Sequence, residues 1–258
     1  MRVATKLIRG FDTLIDTVIT VITILVLLFA VFGVLSAFWL LEEDNIYDDL
    51  KVYKPTEVEM PGGDVPLSFS DLRDLYPDVN AWLEIFDTNI DYPVVQGEDN
   101  EEYVSKNIAG EDARSGAIFL DYRNSRIYTD SYSLLYGHHV IDGMMFSDVV
   151  NFGDNSYFNS HLWGRLWLPE DTFDIELFAC VTANGYDAKF FNPTEYRNNG
   201  TLKLVEVIHA DAVQWRNLDI AEDDVIIGFS TCTDAMTDAR VILYGVLRDY
   251  DEINHVNP

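Results

Sequence analysis

Cys232 stands where an apolar run, Val225-Ile226-Ile227-Gly228-Phe229, gives way to Ser230 and Thr231 and then to the polar loop Asp234–Asp238. A thiol at the end of a strand is held rigidly yet stays within reach of a second reactant, as a nucleophile requires. Arg240 follows eight residues later, at the start of the next apolar run. If the two runs pair antiparallel, its guanidinium comes back level with Cys232, where it can lower the thiol pKa or hold the oxygen of a reacting carbonyl. An ordinary salt bridge to Asp234 or Asp238 is the plainer alternative. Leu134-Leu135-Tyr136-Gly137-His138-His139 is a third strand-like run, and it ends in imidazoles. Histidine can take a thiol proton and return it to a leaving amine. His161, His209 and His255 lie in unrelated contexts, so paired histidines binding a metal are not expected. Cys180 sits inside Leu177-Phe178-Ala179-Cys180-Val181 and reads as a small core hydrophobe, which disfavours a disulfide between the two cysteines.

The elements that must position these groups are mainly strands. Short apolar or alternating runs over 81–86, 92–95, 117–120, 133–136, 173–182, 225–231 and 239–247 predict strands, the last apolar on both faces. Helices are expected over 46–52, from Ser68 or Ser70 to Pro77, over 100–106, and from about Pro193 to Trp215 with Leu202, Val205 and Ile208 inward. Together they predict a mostly antiparallel β domain, closed or half-closed into a barrel.

Val18 to Leu41 runs without a charge, and a helix of that length is about 36 Å long, enough to cross a hydrocarbon core of about 30 Å. It ends in Phe38-Trp39-Leu40-Leu41 rather than in small residues, which favours a retained anchor over a cleaved signal. Arg2, Lys6 and Arg9 precede the span, while Glu42, Glu43 and Asp44 follow it, so the N-terminus is expected in the cytoplasm and the rest outside. The predicted organisation is a short cytoplasmic segment 1–17, an anchor 18–41 in the lipid bilayer, a stalk 42–66 and an extracytoplasmic domain 67–258. The chain carries 44 acidic and 17 basic residues, a net charge of −27, which argues against nucleic acid as a partner.

Five ordered blocks resemble the class B sortases, membrane-anchored cysteine transpeptidases of Gram-positive bacteria. They are Tyr76-Pro77-Asp78-Val79-Asn80-Ala81-Trp82-Leu83; Asn89-Ile90-Asp91-Tyr92-Pro93-Val94-Val95-Gln96 with Asp99, Asn100 and Tyr103; Gly116-Ala117-Ile118-Phe119-Leu120-Asp121-Tyr122-Arg123-Asn124; Tyr136-Gly137-His138-His139 with Asp142 to Phe146; and Phe229-Ser230-Thr231-Cys232-Thr233 with Arg240. The resemblance implies a closed eight-stranded barrel with N-terminal helices and a long helix inserted between strands 6 and 7. It implies Cys232 as nucleophile, His138 as acid and base (His139 stands where the family varies), and Arg240 at the oxyanion or the substrate backbone. Asn100, Val104, Tyr136 and Ser230 would line the substrate groove. The partners it implies are secreted proteins with a C-terminal sorting pentapeptide and an amine of a peptidoglycan precursor or a pilin subunit; it needs no cofactor. Phe229 and Val104 stand where the family usually has leucine, which reshapes the expected pocket. A thiol peptidase using water, and a non-catalytic membrane-anchored binding module, are the rival readings.

Overall fold

Ser68 sets the start of the helix over 69–75. Its hydroxyl accepts from the Asp71 amide at 3.3 Å while the Asp71 carboxylate accepts from the Ser68 amide at 2.7 Å, a reciprocal cap that satisfies two otherwise orphaned donors. A computed structural model describes residues 2–55, 68–140, 143–197, 199–232 and 238–250. The expected stalk therefore lies outside the described residues from position 56 onward, as do the loop 233–237 and the side chain of Cys232.

The chain divides into two units, Met1–Asp49 and Leu50–Pro258. Helix α1 (Arg2–Leu50) is continuous, so the helix expected over 46–52 is the end of a longer one rather than a separate element. Its stretch Leu14–Ser36 has a mean hydropathy of 3.1 and is long and apolar enough to cross a membrane; an anchor and a signal sequence both fit it. In the second unit a 3₁₀ turn at Lys51–Tyr53 is followed by α2 (Phe69–Leu75), which buries Phe69 and Leu72.

Among the described residues nine strands follow: β1 (Val79–Ile85), β2 (Asp91–Val95), β3 (Ile118–Leu120), β4 (Tyr132–Tyr136), β5 (Trp163–Trp167), β6 (Thr172–Asn184), β7 (Ala212–Trp215), β8 (Ile226–Cys232) and β9 (Ala239–Asp249). Eight of them close into a barrel in the order β5-β1-β2-β3-β4-β8-β9-β6, sealed by pairing of β5 with β6. Closure depends on the length of β6. Along one edge it pairs with β9 throughout; along the other, Thr172–Glu176 hold β5 and Ala179–Val181 hold β7. Most pairs are antiparallel, as expected, but β2–β3 and β4–β8 are parallel. Parallel neighbours need long crossovers, and the excursion from β4 to β8 accommodates α3 (Asn155–Ser160), β5, β6, α4 (Ala188–Phe191), α5 (Thr201–Asp211) and β7. The core is continuous and aromatic: Tyr132, Phe178, Tyr196 and Tyr244 pack with Leu204, Ile208, Ile226 and Val246.

Two expected helices differ, and one strand appears where none is expected. The helix from Pro193 to Trp215 is broken into a 3₁₀ turn (Pro193–Tyr196), α5 and β7. Gly200 lies so close to Tyr196 that a Cβ would stand 2.5 Å from its carbonyl oxygen. Beyond Asp211 the chain pairs with the free edge of β6 through Ala212, Gln214 and the aromatic Trp215, with an irregularity at Val213; β-branched and aromatic residues favour such a strand. The buried stripe of α5 is accordingly Thr201, Leu204 and Ile208, and Leu202 is exposed. The helix expected over 100–106 is reduced to a 3₁₀ turn at Glu102–Val104, with the Asp99 carboxylate accepting from the Glu101 and Glu102 amides. Strand β5 has no clear apolar pattern to predict it. Its Arg165 breaks the apolar pattern, yet it is buried in an ion pair with Asp174 at 3.0 Å.

Candidate active site

Strand register brings the three chemically notable positions to one rim of the barrel. β4 and β8 run parallel with Tyr136 opposite Ser230, and the Gly137 amide donates to the Ser230 carbonyl at 3.1 Å. β8 and β9 run antiparallel with Cys232 opposite Arg240. His138, Cys232 and Arg240 thus leave three adjacent strands at the same end. A cavity of about 270 Å³ opens there, lined by Asn100, Val104, Tyr136, His138, Ser230 and Arg240, and also by Phe119, Gly137, Gly185, Phe191 and Thr231. Every site residue expected from sequence whose side chain is described lines this one cavity. His139 does not; its backbone bridges to Met145 instead.

Local chemistry explains the placement of His138. Gly137 allows the chain to bend past Phe146, whose ring carbons would lie 2.8 Å from any Cβ there. The His138 Nε2 is 2.7 Å from the Val104 carbonyl oxygen. A carbonyl only accepts, so Nε2 carries the proton, and in the neutral ring Nδ1 holds the lone pair. Gly116 packs closely against that carbonyl. Gly116 has φ +61°, and a Cβ on it would stand 2.7 Å from both the Tyr103 and Val104 carbonyl oxygens. Gly116→Ala is therefore expected to cost about 1–3 kcal/mol of stability through a strained left-handed residue, and to lower turnover by displacing the carbonyl that orients His138. Thermal melts and steady-state rates on the purified variant check both effects.

Of the two departures from the family pattern, only Val104 faces the cavity. Phe229 turns into the core and meets Phe146 edge-on, with centroids 5.9 Å apart, so it does not reshape the pocket as expected. On the opposite wall Arg240 lies against Gly185, whose missing side chain leaves the guanidinium carbon 3.5 Å from the position a Cβ would take. Gly185 and Phe191 carry no sequence signal of a site, because both belong to the insertion and reach the rim only through the fold.

Beneath the cavity lies Asp121, fully buried. It accepts from Arg123 Nη2 at 2.6 Å and Nε at 2.8 Å, from Asn100 Nδ2 at 2.9 Å and from the Tyr136 hydroxyl at 3.0 Å. Burial alone would push its carboxyl up, but the bonds from Arg123 and Asn100 prevail and hold it below the usual carboxylate range. A carboxyl with a lowered folded-state pKa adds stability above its unfolded value, about 3.9, and that contribution is lost as pH falls through the folded value. The gap in melting temperature between the native chain and Asp121→Asn is therefore expected to be wide at pH 6–7 and to narrow below about pH 4; melts across that range read it directly. Burial raises the Tyr136 hydroxyl far above its ordinary value, so it remains a donor.

Cys180 is free and buried in β6, and desolvation pushes its thiol up to about 12, as expected of a packing residue. This rules out the disulfide between the two cysteines.

No protein-family model matches the chain. It is 33% identical over 193 residues to sortase B of Listeria monocytogenes, covering 72% of this chain and 76% of that protein. A Streptococcus pyogenes class B sortase involved in pilus biogenesis superposes with a TM-score of 0.65 at 37% identity, over 70% of this chain and 97% of that one. Sortase B from the type II pilus of Streptococcus pneumoniae gives 0.61 at 33% identity, over 70% and 99%. The barrel order, the motif blocks and these likenesses agree, and the chain belongs to the class B sortases, a transpeptidase family.

Proposed function

We propose that the protein is a cysteine transpeptidase that cleaves a C-terminal sorting signal and transfers the acyl part to an amine, with Cys232 as nucleophile, His138 as acid and base, and Arg240 as oxyanion partner. The observation that carries this reading is the register: Cys232 is opposite Arg240, and both share a rim with the cavity-lining His138. The thiolate of Cys232 attacks the peptide carbonyl carbon, a C–S bond forms, and the electron pair of the C=O moves onto oxygen beside the Arg240 guanidinium. Collapse breaks the C–N bond, and the His138 imidazolium gives its Nδ1 proton to the departing amine. An incoming amine then loses a proton to His138 and attacks the thioester; an amide forms and the thiolate leaves. Asn100, Val104, Tyr136 and Ser230 form the groove that receives the peptide.

Both pilus-linked relatives share a third or more of their residues with the chain, which favours a pilin lysine amine as acceptor over a peptidoglycan precursor. The apolar helix around Leu14–Ser36 and its basic N-terminal flank support an anchor spanning about 18–41, with the catalytic domain outside the cytoplasm.

The test is incubation of the purified chain with a library of sorting peptides, followed by mass spectrometry of Cys232. A thioacyl adduct that is released by an added lysine peptide or by a wall-type amine supports transfer and ranks the two acceptors. Release by water alone, unaffected by either amine, makes the protein a thiol peptidase. No adduct and no cleavage with any peptide would leave the non-catalytic binding module.

A further inference from the structure

The block Asp121-Tyr122-Arg123-Asn124 has no part in the chemistry above, yet its two charged side chains touch both sides of the cavity from below. We propose that the Asp121–Arg123 ion pair is a positioning element that fixes the separation of the groove walls and so sets the grip on the acyl-donor peptide. This rests on the reading of the groove given under the proposed function.

The contacts run in one chain. Asp121 Oδ2 accepts from Asn100 Nδ2 at 2.9 Å and from the Tyr136 hydroxyl at 3.0 Å, and both donors belong to cavity-lining residues. The same carboxylate accepts twice from the Arg123 guanidinium, at 2.6 and 2.8 Å. Arg123 then reaches the opposite wall, where Nη2 donates to the Phe191 carbonyl at 2.8 Å and Nη1 to the Asn192 Oδ1 at 3.1 Å. Phe191 lines the cavity, whereas Asp121, Arg123 and Asn192 do not. Asn100 is fixed from its other side as well, its Oδ1 accepting from the Tyr122 amide at 3.0 Å. The pair thus joins the segment before the Glu102–Val104 turn, the end of β4 and the end of α4. The planar fork of arginine suits the task, since it can grip a carboxylate with two donors while others reach a second partner.

Asp121→Asn and Asn192→Ala in the full chain, held in detergent micelles, separate positioning from mere stability. Asp121→Asn is expected to raise KM for the sorting peptide about tenfold, the effect of roughly one lost charge-assisted hydrogen bond, with kcat little changed. Alkylation of Cys232 by iodoacetamide does not use the groove and is expected at the native rate; Cys180 is buried and contributes nothing. Hydrogen exchange is expected to quicken in both 99–104 and 188–192. Asn192→Ala, outside the cavity, is expected to raise KM by a smaller factor and to quicken exchange in 188–192 alone. It also decides the matter if Asp121→Asn does not fold. Native exchange in both segments, or KM, kcat and alkylation failing together with the melting temperature, would overturn the proposal. If the native chain itself cleaves no peptide, the proposed function fails, and the exchange measurements still judge the positioning role.

Discussion

Replacing Cys232 with alanine is expected to abolish cleavage of a sorting peptide, with kcat falling at least about 10⁴-fold, the scale on which removal of a covalent nucleophile acts. The position ends β8 and pairs with Arg240 across the last hairpin of the barrel. Alanine keeps that backbone pairing and removes only the sulfur. The melting temperature should therefore stay close to native while product formation vanishes, and no thioacyl adduct should appear by mass spectrometry. The second thiol cannot take over, because Cys180 is buried mid-strand and its pKa is pushed up to about 12. Cleavage retained in Cys232→Ala would sink the assignment of the nucleophile.

His138→Ala is expected to lower kcat about 10²–10⁴-fold, the usual span for a general acid–base, with KM far less affected. Two jobs are lost together: the partner of the thiolate and the proton donor to the leaving amine. They can be told apart by the leaving group. A thioester donor expels a thiolate that needs no proton, so the deficit of the variant should shrink on that substrate relative to an amide. An equal deficit on both would mean that His138 does not protonate the leaving group. The hydrogen bond from Nε2 to the Val104 carbonyl supports this division of labour, since it fixes the ring and leaves the Nδ1 edge for proton transfer.

Much of this architecture can be read from residue pattern because the strands are short, apolar and bounded by polar turns. The expected runs over 92–95, 133–136 and 225–231 each fall within a residue or so of β2, β4 and β8. The rim cluster is legible for a related reason. Strand ends are where the apolar pattern stops, so Gly137-His138 and Ser230-Thr231-Cys232 declare themselves as exits. Pairing across the Asp234–Asp238 loop then fixes Arg240 by counting. What pattern does not reveal depends on distant contacts. β5 carries Arg165, which reads as exposed until Asp174 neutralises it from the next strand. β7 is a strand only because β6 offers a free edge. Phe191 and Gly185 become wall residues only once the insertion folds back onto the rim. The carboxylate of Asp121 looks like a surface residue in sequence and is instead wholly enclosed.

The parallel pairing of β4 with β8 has a kinetic consequence. The two strands are separated by the greater part of the barrel's own sequence, and contacts between such remote segments are slow to form because a large loop must close first. His138 leaves β4, whereas Cys232 and Arg240 belong to β8 and β9, so the three positions share one rim only in a chain whose β4–β8 pairing has formed.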